Sequence, residues 1–129
     1  MPRQRHPDAL DNGLAYIRAN ANLMALVSSF TFGDSFATLM GRVLAAASIS
    51  SADMTLGSSG NNRTLSVAAK TDSAADASGG GANNHTVLFD TVNSKVLEVT
   101  EESAKQAIIA GNQVNMAGFV ITATQPVAP

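Results

Sequence analysis

The residues with the chemistry to do work are few, and their spacing does not organise them. There are two histidines, His6 near the start of the chain and His85 in its second half. Neither sits at metal-ligand spacing from a second histidine or a glutamate. Asp90 follows His85 closely enough to pair with it as an acid–base couple, but an aspartate in a turn between two strands already has a structural role. Glu101 and Glu102 are adjacent, so on a strand they point to opposite faces and cannot act as paired carboxylates. Asp34, Asp53, Asp72 and Asp76 lack the spacing of a calcium loop. Gly57, Gly60 and the run Gly79-Gly80-Gly81 match neither the phosphate loop nor the dinucleotide fingerprint and read as turns. With no cysteine, thiolate chemistry, disulfides and cysteine-based metal sites are excluded. The expectation is therefore a protein that is not an enzyme and that uses no cofactor.

Binding offers more. Arg3 and Arg5 lie in a basic arm, residues 1–7, whose two prolines disfavour regular structure. Both arginines are candidate partner-binding residues through charge-assisted hydrogen bonds to carboxylates. Leu14 and Ile17 join them as candidates because they belong to an apolar stripe, Leu10, Leu14, Ile17 and Ala21, that must lie against the β body or a neighbouring subunit. Phe30, Phe32 and Phe36 read first as core and second as interface anchors.

The elements that must position these residues follow from periodicity. The stripe, with Pro7 and Asp8 before it and Arg18 near its end, predicts one helix over residues 8–21. Leu23 to Val27 is a continuous apolar run compatible with a buried strand. Residues 36–48 are ambiguous: Arg42 to Ala47 suits a strand, while the Ala-rich tract from Phe36 to Ser48 has helical propensity. Ser51 to Leu56 reads as a turn leading into a short strand, and Gly57 to Asn62 as a loop. Arg63 to Ala68 alternates polar and apolar, placing Leu65 and Val67 on one face. Thr86 to Phe89 and Lys95 to Thr100 flank an Asp90-to-Ser94 turn and predict a hairpin. Ala107 to Ile109, Gln113 to Met116 and Phe119 to Thr122 continue the rhythm of short strands. Closely spaced strands with polar turns favour a mainly β fold with one N-terminal helix, arranged as an antiparallel β-sandwich or barrel.

Composition bounds the rest. The 129 residues, 13.2 kDa, fit one β-rich domain over 8–129 behind the arm. Charged residues make up only 14%, so the surface is weakly charged. A net charge of -2 provides no field for nucleic acid, which is disfavoured as a partner. Asp34, Arg42 and Asp53 divide the most apolar third, so no stretch approaches the roughly 20 residues of a membrane span. The basic start has no apolar signal core after it, pointing to assembly in the cytoplasm. An alternative class, a small ligand- or carbohydrate-binding β module, is weakened by the absence of tryptophan and a single tyrosine, Tyr16.

Three segments carry a resemblance. Leu14-Ala15-Tyr16-Ile17-Arg18-Ala19-Asn20-Ala21 with Leu23-Met24 is similar to the opening of small structural proteins of tailed bacteriophages. Asn84 to Leu97 and Gln106 to Met116 resemble the His-containing strand, turn and Ala-Gly-Asn segment of such virion proteins, while Phe30 to Asn62 is not shared. The resemblance covers about half the chain. It implies a virion protein assembled in the host cytoplasm, of the head-decoration or cement type, whose partner is the major capsid protein or another virion protein. A tail, collar or fibre component is the alternative, and homo-oligomerisation stays open.

Overall fold

The computed structural model describes residues 7–101 and 106–124, with backbone alone for residues 7–12. Arg3 and Arg5 lie outside the described residues.

The predicted helix forms as α1, Pro7–Asn20. It is held at its C-terminal end, where Arg18 Nε donates to the Met54 carbonyl at 2.9 Å and the Ala21 amide donates to the Ile17 carbonyl at 2.9 Å. The run that follows is β1, Leu23–Val27, and its four residues from Met24 onward are buried. β1 pairs antiparallel on one side with β2, Val43–Ser48, and on the other with β6, His85–Asp90. A strand covered on both sides and both faces can be apolar at every position, which explains its unbroken hydrophobic run. β7, Lys95–Glu101, closes this four-stranded sheet in the order β2-β1-β6-β7.

The ambiguous stretch 36–48 uses both of its readings. Ser35 caps a five-residue helix, α2, Phe36–Met40, by accepting from the Thr38 amide at 3.2 Å. The chain then turns through Gly41 and Arg42 into β2, where pairing with β1 overrides the helical propensity of Ala45 to Ala47.

A short 3-10 turn, Ser51–Asp53, leads into β3, Met54–Ser59. β3 pairs with β4, Asn62–Val67, across only Gly60 and Asn61, with Gly60 at φ 61. The stretch Gly57 to Asn62 is thus not a loop but the end of a tight hairpin, and its polar residues lie on exposed strand ends. Leu65 and Val67 are buried on one face, as their alternation predicts. β9, Phe119–Ala123, pairs with the other side of β4, giving the order β3-β4-β9. α1 lies against this sheet. A small third sheet joins β5, Lys70–Asp72, to β8, Val114–Met116. Of the strand expected at Ala107 to Ile109, just Ile108 pairs, in an isolated bridge to Gly79.

The fold is therefore mainly β and antiparallel, with one N-terminal helix and, on the opposite face of the four-stranded sheet, the short α2. Among the described residues none of the three sheets closes on itself, so the antiparallel strands are shown without the expected sandwich or barrel form. Two clusters of buried side chains hold it. The larger joins Leu14 and Ala21 to Met24, Leu26 and Leu88 from the four-stranded sheet and to Met54, Leu65 and Val67 from the three-stranded sheet. The smaller fills the opposite face of the four-stranded sheet with Ala25, Val27, Val87 and Phe89, covered by Leu39, Phe30 and Phe36 from the 28–42 excursion. Phe36 meets Phe89 edge to face, with ring centroids 5.4 Å apart. Full burial of a side chain such as Phe89 contributes about 1.5–3 kcal/mol.

Candidate functional site

The side chains with chemical potential are dispersed and committed to local structure. His85 stands at the start of β6, its Nδ1 2.7 Å from the Asn83 carbonyl and its ring 5.7 Å from that of Phe30. Asp90 stands at the other end of the same strand and does not meet it. Asp90 is 2% exposed, and its Oδ1 accepts from the Val92 and Asn93 amides at 3.1 and 3.2 Å while Oδ2 accepts from Asn93 Nδ2 at 2.8 Å. The Asn93 side-chain amide, with the two backbone amides behind it, holds the carboxyl below its ordinary value. The carboxylate is the staple of the β6–β7 turn.

A cleft of about 780 Å³ opens between the end of α1 and that turn, lined by Arg18, Asn22, Ser50, Asp90 and Asn93 among others. Its polar groups are already engaged: Arg18 with Met54, Asn22 with Thr91 at 2.8 Å, and Asp90 with its own turn. They do not converge on a point where a ligand group would sit. Among the described residues no three His, Cys, Asp or Glu side chains gather to hold a metal ion.

Of the proposed contact residues, Leu14 is 4% exposed within the larger cluster, and Ile17 packs against it half-buried. The helix stripe thus lies on the chain's own β body, and Leu14 offers no surface to a partner. Phe30 and Phe36 are partly buried against the smaller cluster. Phe32 is not core: it is 96% exposed.

The turn that displays Phe32 is tightly built. Thr31 and Asp34 close it by a 3.0 Å hydrogen bond from the Asp34 amide to the Thr31 carbonyl. Gly33 adopts φ 93 at the third position, a conformation that favours glycine. Asp34 Oδ2 accepts from the Thr31 amide at 2.7 Å and also meets Arg42 Nη1 at 2.7 Å. Arg42 reaches on to the Ser29 carbonyl at 3.4 Å, and the Arg42 carbonyl accepts from the Ser28 amide at 3.1 Å. The Thr31 amide, with Arg42 adding to it, holds the Asp34 carboxyl below its ordinary 3.8 despite an opposing desolvation. Since Asp34 and Arg42 neutralise each other, the 28–42 excursion carries no net charge around the projecting Phe32 ring. A large apolar side chain fixed outside the core by a preorganised turn has the geometry of a contact residue.

Sequence reasoning ranked core ahead of interface for Phe32 because three phenylalanines within seven positions look like one core group. The signal was the Phe-Gly-Asp-Ser order: glycine and aspartate mark a turn, and the residue before the glycine stands at its tip.

A second cavity, about 490 Å³, lies beside β8 and the 106–113 segment, lined by Leu26, Ile108, Ile109 and Val114 with polar but uncharged neighbours. Two segments, Asn84 to Leu97 and Gln106 to Met116, meet next to it, where the buried Asn84 donates through Nδ2 to the Gln106 carbonyl at 2.7 Å.

No protein-family model, no curated protein and no solved structure matches this chain.

Proposed function

We propose that this chain is a structural protein of a tailed-bacteriophage particle, of the kind that decorates and cements the major-capsid lattice. The resemblance of its first helix and second half to small virion proteins supplies the class. The observation that carries a contact-making role is Phe32, held 96% exposed on a clamped turn of an excursion with no net charge. The body is stable through its own two clusters and is free to present surface to neighbours. With Leu14 occupied internally, attachment to the lattice rests on the arm, where Arg3 and Arg5 bond carboxylates of capsid subunits. On a repeated lattice such contacts gain by multivalency even when each is weak.

Electron microscopy of purified phage particles from a host in which the chain is produced tests this reading. Density repeated over the capsid surface is the expected result. Density confined to the tail axis would assign the chain to the tail, collar or fibre instead, and particles without it would remove the virion role. Deleting residues 2–6 should lower occupancy on the capsid, more so as ionic strength rises, because exposed charge contacts are screened by salt.

A further inference from the structure

We infer that β9 is a pairing edge: β9 of one copy joins β9 of a second copy antiparallel about a two-fold axis, making one continuous sheet in the order β3-β4-β9-β9-β4-β3. The inference does not depend on the virion role.

An outer strand exposes a row of backbone N–H and C=O groups whose complement is another strand, and proteins blunt such edges with charges, bulges or covering segments. Among the described residues the other outer strands of the two larger sheets are blunted in these ways. Along β2, the Ala46 amide donates to Asp72 Oδ2 at 3.0 Å, and the Leu44 carbonyl accepts from the Asp76 and Ala77 amides at 2.8 and 3.2 Å. β7 carries Lys95, Glu98 and Glu101, and its register shifts opposite Leu88 and Phe89. On β3, the Met54 amide donates to the Ser51 carbonyl, the Met54 carbonyl accepts from Arg18 Nε, and Gly57 weakens the middle of the strand. β9 has none of these devices. Its residues, Phe119 to Ala123, include no charge and no proline, pair with β4 in unbroken register, and among the described residues meet no strand on their outer side.

The ladder shows why a second β9 fits. In an antiparallel pair, alternate residues send both backbone groups to alternate sides. The Ala68 amide donates to the Asp53 carbonyl at 2.9 Å, which sets Thr64 and Ser66 toward β3 and Leu65 and Val67 toward β9. Ile121 and Phe119, opposite Leu65 and Val67, are therefore satisfied by β4, and Val120 and Thr122 turn their N–H and C=O outward. With Ile121 on the two-fold axis, Val120 of each copy lies opposite Thr122 of the other, and each such pair exchanges both of its bonds. The side chains agree with that register. Phe119, Ile121 and Ala123 share the inner face and are only partly buried, packed at the margin of the larger cluster. The register sets Ile121 against Ile121 and Phe119 against Ala123, so the apolar margin of one copy covers that of the other, and no charge is opposed or stranded. A strand of another protein would satisfy the same amides; the second β9 is favoured because it also returns an equal apolar margin. The contact is isologous, so both open edges are consumed and assembly stops at the dimer.

Sedimentation velocity of the full-length chain tests the inference. The wild type should pass from monomer to dimer, and no further, as its concentration rises toward about 1 mM, a range suited to a small contact area. Val120→Pro removes an outward amide that the fold itself does not use, and Val120→Lys charges the edge at a position that is 57% exposed. Each should weaken dimerisation about tenfold or more while thermal unfolding stays near that of the wild type. Ile121→Cys reads the register. Facing residues of a non-hydrogen-bonded antiparallel pair stand about 4.5 Å apart at Cα, within the span a disulfide bridges. In this cysteine-free chain the variant should therefore form a covalent dimer with glutathione disulfide as oxidant, whereas Thr55→Cys on β3 should not. A wild type that stays monomeric would overturn the inference and give the edge to a strand of another protein. Assemblies larger than a dimer, a folded Val120→Lys variant that dimerises like the wild type, or cross-linking through Thr55→Cys in place of Ile121→Cys would each overturn it as well.

Discussion

Asn84 is the side chain whose loss should be felt furthest beyond its own position. It is fully buried, its Oδ1 accepts from the Gly81 amide at 2.8 Å, and its Nδ2 donates to the Gln106 carbonyl at 2.7 Å. It therefore ties the start of β6 to the glycine run before it and to the segment leading into β8. Replacing it with alanine removes two hydrogen bonds, each with a net value of about 1 kcal/mol. The small void left in a closed site adds about 1 kcal/mol. Gln106 is exposed and Gly81 half-buried, so both orphaned backbone groups regain water and the full desolvation penalty does not apply. The sum is about 2–3 kcal/mol, which for a chain of this size lowers Tm by about 6–15 °C. Urea denaturation and calorimetry measure the total. Amide hydrogen exchange should locate it, with faster exchange at Gly81 and between residues 106 and 112. Asn84→Asp separates the two bonds, since the carboxylate still accepts from Gly81 but faces the Gln106 carbonyl without a proton. That variant should be at least as damaged as the alanine at neutral pH and should recover in acid, where a protonated acid can donate again. An alanine variant within about 0.5 kcal/mol of wild type would refute the assignment of Asn84 as a tie between the two segments.

Three other outcomes follow from the same packing and hydrogen bonds. Leu14→Ala should cost about 2–5 kcal/mol in denaturant unfolding and half-buried Ile17→Ala less, since Leu14 lies inside the larger cluster and Ile17 at its margin. Because the folded Asp34 carboxyl titrates below its ordinary 3.8, its contribution is complete above that value and is lost as the pH falls further; the Thr31 amide resonance should move in that acid range and be insensitive to pH from 5 to 8. A Cβ at Gly118 would lie 2.6 Å from the Val67 carbonyl oxygen and 3.0 Å from the Ala69 amide nitrogen, both backbone atoms that cannot step aside, so Gly118→Ala should cost about 1–3 kcal/mol in thermal unfolding.

Where the sequence pattern was strong, the fold was legible. The Leu14, Ile17 and Ala21 spacing located α1, the unbroken run at Leu23 to Val27 located a strand buried on both faces, and the turn around Asp90 located the β6–β7 hairpin. Pattern failed where partners decide. Ala45 to Ala47 have helical propensity of their own, and pairing with the neighbouring β1 makes them a strand instead. Gly57, Ser58 and Ser59 have the composition of a loop, but Gly57 lies opposite Thr64 in a register set by the Gly60 turn and by Leu65 farther along. Ala107 to Ile109 have β-forming residues, but β5 pairs with β8 and leaves Ile108 just one bridge. The contact site was harder to see because it depends on which apolar residues the core leaves out. Leu14 and Phe32 are equally apolar on paper; a helix face turns one inward and a glycine at φ 93 holds the other outward.

The placement of β6 beside β1 also governs how this chain must reach its native state. Leu23 finds Phe89 only after the intervening excursion, the β3–β4 hairpin and the glycine run have been synthesised, and the Asn22 side chain bonds Thr91, 69 positions away. Pairing at that distance is paid for in loop closure before any contact rewards it, so folding belongs to the slow milliseconds-to-seconds regime of non-local β topologies. Until β6 arrives, β1 and β2 form a hairpin whose apolar strand has one open edge. That interval exposes Leu-Met-Ala-Leu-Val as a template for other nascent chains. Refolding yield should therefore fall as protein concentration rises, although the finished molecule buries four of these five residues, Met24 to Val27, in an interior strand of its largest sheet.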